Sequence, residues 1–336
     1  MRQLLLYFCK MKQVAILVPE NSVMQAIADP QYCFNAVNQF LAVSGKKPLF
    51  NVELVGLKRE IFINEGKFSV HTDKLLKEVN KTDLLIIPAL FGDMQDAIQS
   101  NKKSISWIVS QYNNGAEVAS LCVGAFLLAS TGLLNGKKCS THWGFQNEFR
   151  ELFPEVEVQD GSIVTEEDRI YSSGGANSYW NLLLYLVEKY TYRDTPIITS
   201  KYFSIHIDQQ CQSAFAMFQG QKNHSDLAIK NAQDYIEENI SEKITVEELA
   251  DFIALGKRSL ERRFKIATNN TVLEYIHRVK IETAKRSFEN SRKNINEVMF
   301  DVGYTDTKAF RSTFKKITGL TPVEYRNKYN KMAKSN

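Results

Sequence analysis

A helix-turn-helix pattern occurs twice near the end of this chain, and this duplication constrains the fold more than any other feature. The first copy spans about 245–265 and the second about 295–316. Apolar positions of the first copy recur in the second at an offset of 49 or 50 residues, as Leu249 and Val298 do. Two short helices joined by a tight turn form the unit that places its second helix in a DNA major groove. The repeat therefore predicts an all-α C-terminal domain with two recognition helices.

The second helix of each copy has a polar face opposite its apolar face. Leu260 and Phe264 form the apolar face in the first copy, and Phe310 and Phe314 form it in the second. A solvated basic face on an ordinary helical bundle would give the same pattern, but its presence on the second helix of both copies favours DNA contact. Arg and Lys reach guanine edges and phosphates, and Glu accepts from cytosine. The predicted DNA-contacting residues are Arg258, Ser259, Glu261, Arg262, Lys265, Thr307, Lys308, Arg311, Ser312 and Lys315.

Capping patterns mark where these helices begin. Thr245–Glu248, Asn294–Glu297 and Thr321–Glu324 each place a capping side chain three residues before a glutamate. Asp306 is predicted to cap the second recognition helix. Between the copies, residues 272–288 predict one long amphipathic helix, which can set the separation of the recognition helices. To enter successive major grooves on one side of B-DNA, these helices must lie about 34 Å apart.

This segment resembles the DNA-binding domain of the AraC/XylS family of transcription regulators. The resemblance rests on Leu260–Lys265, on Gly303–Tyr304 and on the ending Gly319–Arg326. It implies that the polar residues of the two recognition helices face bases in two successive grooves. The chain departs from the family at Ser312, where the family carries arginine, and it places Arg311 one position earlier.

Charge is distributed unevenly along the chain. Residues 221–336 carry 22 Lys and Arg against 16 Asp and Glu, whereas residues 1–220 carry 20 against 22. A basic module joined to a slightly acidic one fits a DNA-binding domain attached to a domain that does not touch DNA. We predict an N-terminal domain over 1–218, a linker over 219–225 and the DNA-binding domain over 226–336.

In the first two hundred residues, short apolar runs alternate with segments of helical spacing. The runs at 14–18, 50–55, 83–87 and 116–121 predict strands, and the segments between them predict helices. This alternation predicts an α/β domain with a mostly parallel sheet covered on both faces. No GxGxxG, GxxxxGKS or GxxxxGKT pattern follows a strand, so we expect no nucleotide cofactor.

The junction at Cys122 is the most informative point of this domain. A predicted strand runs directly into a helix there, and Gly124 allows close packing, as in a nucleophile elbow. A helix N-terminus beside the sulfur would favour the thiolate, and His142 follows twenty residues later as a candidate partner. A buried core cysteine is an equally good interpretation of the spacing.

Most of residues 13–190 resemble the DJ-1/PfpI superfamily, which is class I glutamine amidotransferase-like and has a flavodoxin-like α/β sandwich. The resemblance rests on Cys122 and the four residues after it, on Thr141–Trp143 and on Ser172–Gly175. It implies that Cys122 is the reactive cysteine, that His142 is its neighbour, and that this version of the domain precedes an AraC-type domain. The predicted effector pocket consists of Cys122, Val123, His142, Gly175 and Asn177.

Two departures from the enzymes of that superfamily argue against catalysis. Those enzymes carry an acidic residue four positions before the proline that follows the first strand; with Pro30 as that proline, the position holds Ala26. Asp29 lies nearby but out of register. The usual Gly-Gly after the central strand is replaced by Pro88–Gly92, and an oxyanion donor is worth about 3–4 kcal/mol in a hydrolase. We therefore expect Cys122 to line a pocket without catalysing a reaction.

The remaining patterns limit compartment and metal content. Five scattered cysteines without a CxxC pair predict reduced thiols in a cytoplasm. No apolar run approaches the roughly 18 residues of a membrane span, and residues 1–9 are interpreted as the lead-in to the first strand, not as a signal peptide. His206, His224 and His277 have no ligand-spaced partners, and His224 is predicted to be solvated. We expect no metal and no cofactor.

The sequence thus predicts a cytoplasmic one-component transcription regulator. Its expected partners are double-stranded DNA, a small-molecule effector and a second copy of the chain bound through the N-terminal domain, with RNA polymerase as a further candidate. The leading alternative is an active cysteine hydrolase or stress protein that carries a DNA-binding domain. A structural DNA-bending protein is disfavoured, because such a protein does not need a sheet domain of this size.

Overall fold

The computed structural model describes residues 11–191, 194–205, 218, 220–222 and 224–330. The chain divides into two compact units, Met1–Gln212 and Ser213–Asn336. The expectations about residues 1–9, Cys211 and His206 lie outside the described residues. The exact limits of the predicted linker stay a prediction.

The N-terminal unit alternates strands with helices. Its described strands are β1 (Lys12–Leu17), β2 (Phe50–Gly56), β3 (Glu60–Ile63), β4 (Phe68–His71), β5 (Lys74–Leu75), β6 (Leu84–Ile87), β7 (Glu117–Ser120), β8 (Lys138–Cys139), β9 (Glu157–Val158), β10 (Val164–Glu167) and β11 (Ile170–Ser173). Its described helices are α1 (Met24–Val43), α2 (Met94–Ser100), α3 (Lys102–Asn113), α4 (Ala125–Ala129), α5 (Gln146–Leu152), α6 (Tyr179–Tyr190) and α7 (Asp194–Phe203). Short 3₁₀ turns lie at Leu76–Glu78, Cys122–Gly124 and Trp143–Phe145.

Within the described residues, seven strands form one sheet in the order β10-β11-β7-β6-β1-β2-β5. Neighbouring strands are parallel except β10, which runs antiparallel to β11. The four strands predicted from the sequence are the adjacent central strands β7, β6, β1 and β2. All four residues of β6 are 0% exposed, which requires cover on both faces of the sheet. The predicted α/β class with a mostly parallel sheet is confirmed.

All the secondary-structure elements described in the C-terminal unit are helices. Its helices are α8 (Leu227–Glu238), α9 (Val246–Phe252), α10 (Lys257–Thr268), α11 (Val272–Asn290), α12 (Ile295–Asp301), α13 (Thr307–Thr318) and α14 (Pro322–Tyr329). Helices α9 and α12 each have 7 residues, and α10 and α13 each have 12. The predicted repeat is confirmed: α9 and α10 form the first helix-turn-helix, and α12 and α13 form the second.

The predicted caps are also confirmed. Reciprocal capping boxes begin α9, α12 and α14, and the Asp306 carboxylate accepts from the Ala309 amide at the start of α13. A further box, Thr271 with Glu274, begins α11 at an offset of 50 residues from the box of α14. The repeat therefore includes the helix that follows each recognition helix.

Helix α11 belongs to both hydrophobic cores of this unit. Its first half contributes Val272, Tyr275, Ile276 and Val279 to a cluster with α8, α9 and α10. Its second half contributes Ile281, Ala284 and Phe288 to a cluster with α12, α13 and α14. The two repeats are therefore built on one shared helix. None of the helices in the described part of the chain is long and apolar enough to cross a membrane.

Candidate DNA interface and cysteine site

The first recognition helix, α10, buries one face and exposes the other. Leu260 and Phe264 are 0% exposed, because their spacing of four residues places both against the core. The predicted DNA-contacting residues lie on the other faces: Arg258, Glu261, Arg262 and Lys265 are exposed and Ser259 is half-buried.

The second recognition helix, α13, has the same construction. Phe310 and Phe314 are 0% exposed, whereas its predicted DNA-contacting residues are exposed except Thr307, which is half-buried. A shallow cleft of about 470 Å³ is lined by Thr307, Lys308, Arg311, Ser312, Lys315 and Thr321. Thr321, which caps α14, also belongs to this surface. The sequence identified it as a capping residue but did not indicate that it lies beside the DNA-contacting residues.

The basic side chains of this surface are available to a ligand. Within the described residues, Arg258, Arg262, Lys308 and Arg311 form no hydrogen bond or ion pair. Arg263, next to Arg262 on the same helix, donates instead to the Asp226 carboxylate at 2.6 and 2.9 Å. The chain thus uses one arginine of α10 internally and leaves its neighbours on the surface.

In the N-terminal unit, Cys122 occupies a strained turn at the carboxyl end of β7. Its φ is 56°, a left-handed value that is uncommon for a residue with a side chain and that often occurs at functional sites. A Cβ at Gly124 would lie 2.4 Å from the Pro88 carbonyl oxygen, so only glycine fits against the end of β6. The elbow that the sequence predicted is present.

The structure brings several predicted pocket residues to the same edge of the sheet. The Cys122 amide donates to Ser173 Oγ at 3.2 Å, and Thr141 Oγ1 donates to the Cys122 carbonyl at 3.3 Å. Thr141, the residue before His142, therefore lies beside the elbow. Ser173, which precedes the turn that leads to the buried Gly175, lies there too. Val123 is buried and Asn177 is exposed.

The Cys122–His142 pair is not formed within the described residues. His142 Nδ1 accepts from the Gly144 amide at 3.1 Å, and its ring lies 5.1 Å from that of Trp143. Burial lowers the pKa of His142, which favours the neutral imidazole at neutral pH. The histidine therefore caps a short turn and forms no hydrogen bond with the thiol.

The prediction that a helix N-terminus favours the Cys122 thiolate is wrong. Burial raises the pKa of the Cys122 thiol to about 12, and only the Val123 backbone N–H opposes this. Burial also raises the pKa values of Cys33 and Cys139 to about 12, so Cys122 has no advantage in acidity. Helix α4, which follows this turn, has only five residues.

Asp29, the acidic residue near Cys122, already accepts a hydrogen bond. Asp29 Oδ2 accepts from the Tyr179 hydroxyl at 2.6 Å. Burial, this bond and the nearby Cys122 all raise the pKa of Tyr179, so the phenol stays protonated. Ala26, the position where the enzymes carry their acid, is 0% exposed in the core. Among the described residues, no three His, Cys, Asp or Glu side chains are grouped so as to hold a metal ion.

Comparison with known proteins matches each of the two domains to a family. Residues 249–328 match the helix-turn-helix domain family, and residues 40–189 match the DJ-1/PfpI family. The transcriptional regulator GbdR of Pseudomonas aeruginosa is 21% identical over 327 residues, which cover 94% of this chain and 84% of GbdR. The chain therefore combines a DJ-1/PfpI domain with a helix-turn-helix domain, and it is similar to transcriptional regulators.

Two further comparisons cover part of the chain. It is 25% identical to the transcriptional regulator ArgR of Pseudomonas aeruginosa over 214 residues, or 64% of this chain and just under two thirds (65%) of ArgR. A Vibrio parahaemolyticus protein described as a transcriptional regulator shares the N-terminal fold, with a TM-score of 0.52 and 23% identity. That match covers 57% of this chain and 99% of the other. The chain is thus a DNA-binding regulator with a DJ-1/PfpI-type N-terminal domain.

The segment that leads into the helix-turn-helix domain is attached to that domain. The Phe218 amide donates to Glu282 on α11 at 3.1 Å, and the Phe218 ring lies 5.1 Å from that of Tyr275. Lys222 forms ion pairs with Asp234 and Glu237 of α8 at 2.7 and 2.8 Å. Phe218 is therefore held against α11, and Lys222 of the predicted linker is held against α8.

The prediction that His224 is solvated is wrong. His224 Nε2 lies 3.0 Å from Gln233 Oε1, and His224 Nδ1 accepts from the Asp226 amide at 3.2 Å. Asp226 is the N-cap of α8 and Gln233 lies within that helix, which the polar sequence around the histidine did not reveal.

We expect alkylation of Cys122 by iodoacetamide to be slow at pH 7 and to accelerate about tenfold per pH unit up to pH 10. Only the thiolate reacts, and its fraction rises with pH below a pKa of about 12. Peptide mass mapping of the native protein after short exposures would measure this, with Cys122→Ser and denatured protein as controls. A rate that levels off below pH 8 would show a thiolate and contradict the structure.

Proposed function

We propose that this chain is a one-component regulator of the AraC family that recognises two successive major grooves of double-stranded DNA with α10 and α13. The observation that carries the proposal is the matched pair of exposed polar faces, each on the second helix of an identically built repeat. In each, the basic side chains named above have no internal partner within the described residues. Free basic side chains on a helix face are what base edges and phosphates require.

The length of α11 supports recognition of two grooves by one chain. Its 19 residues correspond to about 28 Å at roughly 1.5 Å per residue. This length is similar to the roughly 34 Å that separates successive major grooves on one face of the duplex. A single DNA-binding domain then covers two half-sites, and dimerisation is not needed to span them.

For the N-terminal domain, we propose binding of a small-molecule effector beside Cys122 and no catalysis. The protonated, buried thiol and the engagement of His142 and Asp29 elsewhere support this view. Amidase, esterase and glyoxalase assays test the alternative of a cysteine hydrolase. Turnover that disappears in Cys122→Ser would establish the enzyme and overturn the proposal. We place the protein in the cytoplasm, where the chromosomal DNA of bacterial relatives lies.

Selection of binding sites from a random duplex library tests the DNA proposal directly. We expect the wild-type chain to enrich two short motifs whose centres lie about 10–10.5 base pairs apart. Hydroxyl-radical footprinting on an enriched site should then show protection on one face of the duplex. Enrichment of a single motif, or of no motif, would contradict recognition of two grooves.

We expect the full chain to be a homodimer and the fragment 213–336 to be a monomer. Symmetric dimers are the most common oligomers, and α1 and α7 expose apolar side chains that a second copy can cover. Tyr32, Ile198 and Tyr202 are 52%, 46% and 53% exposed. Sedimentation at micromolar concentration would measure both species. The fragment starts before Phe218, because that residue packs on α11.

A matched pair of variants locates the dimer surface. Ile198→Asp should shift the full chain toward monomer, since a carboxylate would be buried between copies. Val43→Asp, at the far end of α1 and 90% exposed, should leave the dimer intact. A full chain that sediments as a monomer would refute the proposal, and equal dissociation of both variants would refute this location.

A further inference from the structure

A buried lysine in the middle of α11 contacts both repeats. Lys280 is 6% exposed, and its Nζ donates to the Glu242 carbonyl at 2.9 Å and to the Val302 carbonyl at 2.9 Å. Glu242 lies between α8 and α9, at the entrance of the first helix-turn-helix. Val302 is the C-cap of α12, in the turn of the second. One ammonium group therefore joins backbone atoms of the two repeats.

The backbones of the two repeats also approach each other directly at this point. A Cβ added at Gly303 would lie 2.4 Å from the Ser241 carbonyl oxygen and 2.6 Å from Lys280 Nζ. Beside them, the Tyr304 ring centre lies 5.8 Å from Lys280 Nζ, and the Tyr304 hydroxyl lies 2.7 Å from His277 Nδ1. We call Ser241, Glu242, Lys280, Val302 and Gly303 the inter-repeat junction.

Burial of a lysine at the inter-repeat junction costs free energy. Burial lowers the pKa of Lys280, which shows that the charged form loses hydration there, and its two hydrogen-bonding partners are neutral carbonyls. An apolar side chain of similar length would fill the same volume without that loss. What an apolar side chain cannot do is fix two carbonyl groups at set positions around one atom, because hydrogen bonds are directional.

We propose that Lys280 is a positioning residue that fixes the orientation of the first helix-turn-helix relative to the second. It thereby sets the separation at which the two half-sites of DNA are recognised. The inference rests on the proposed function, since it assumes that α10 and α13 each contact DNA. Lys280 itself is buried, and it acts through the backbone of the α8–α9 loop and of the turn between α12 and α13.

Lys280→Met in the full chain tests this role, because methionine keeps most of the side-chain volume and removes the donors. Site selection from random duplex DNA should return both wild-type motifs. They should now be spread over several separations, whereas the wild type selects one separation. Affinity for the wild-type site should fall about tenfold, while affinity for a duplex with one motif stays unchanged, because only the simultaneous binding of both helices is impaired.

Lys285→Met is the matched control. Lys285 is also a buried lysine on α11, 3% exposed, and its ammonium pairs with Glu282 of the same helix at 2.8 Å. Lys285→Met should lower the stability of the domain, but the variant should still select one separation between the two motifs. If Lys280→Met does not fold, as judged by circular dichroism, Lys280→Leu, which also lacks a donor, replaces it, with the same broadening expected.

The outcomes are separable. A folded Lys280 variant that still selects one separation overturns the positioning role and leaves the recognition of two grooves intact. A wild-type selection that returns one motif overturns the proposed function, and the positioning role with it. Equal broadening in Lys280→Met and Lys285→Met would assign the effect to loss of stability and reject a specific role for Lys280.

Discussion

Arg262→Ala and Arg311→Ala should each weaken binding to a selected site by about 1–3 kcal/mol, or roughly 5- to 150-fold. Each arginine is exposed on a recognition helix and, within the described residues, has no internal partner. A bidentate bond from a guanidinium to a base is lost on truncation, whereas a contact with phosphate would be lost on any sequence. The loss on scrambled duplexes should therefore be much smaller.

Titration of each variant against the selected and scrambled duplexes at one salt concentration measures the difference. Arg263→Ala is the control: it neighbours Arg262 but pairs with Asp226, so it should reduce stability and leave the ratio of the two affinities unchanged. The double variant Arg262→Ala with Arg311→Ala should show nearly additive losses, because the two residues lie on separate repeats. Equal losses of affinity on both duplexes would show that these arginines contact only phosphates.

Gly303→Ala should destabilise the DNA-binding domain by about 2–4 kcal/mol. The residue has a φ of 71°, and its added Cβ would lie 2.4 Å from the Ser241 carbonyl oxygen, a backbone atom that cannot move away alone. The strain of the left-handed conformation contributes roughly 1–2 kcal/mol, and the steric conflict at the inter-repeat junction contributes the rest.

The repeat supplies the control for this substitution. Ala254 occupies the equivalent turn of the first copy with a φ of 51°, so an alanine is tolerated there at the cost of the backbone strain alone. Ala254→Gly should change stability by less than about 1 kcal/mol, since relief of strain is offset by the greater freedom of glycine in the unfolded chain. Urea unfolding of both variants would measure this. Similar small effects at the two turns would contradict the close approach at Gly303.

Much of this fold could be predicted because its signals are local. The central strands are apolar runs long enough to show their period, and the helices of the repeat carry their own capping residues. The box at Thr271 and Glu274 was equally local and could have been found by the same offset. Strands of two residues, such as β5 and β8, are too short to show alternation, and β10 is polar because it lies at the sheet edge.

The misjudged parts of the sites depend on distant residues. The spacing around Cys122 predicted the elbow, but the pKa of its thiol depends on how completely the surrounding core removes water. Polar composition suggested a solvated segment at His224, whereas Gln233, nine residues away, supplies a partner. Lys280 looks like any polar residue on an amphipathic helix; only the folded chain shows two carbonyl groups converging on it. Such contacts leave no periodic signal.

The sharing of α11 by both cores limits how this protein can change through insertion and deletion. One residue added near the middle of the helix would turn the second repeat by about 100° and advance it by about 1.5 Å. The second recognition helix would then face away from the duplex. Four added residues would nearly restore the phase and lengthen the helix by about 6 Å, less than two base pairs at roughly 3.4 Å each. Descendants of this chain can therefore adopt a different operator spacing only in steps of a whole helical turn.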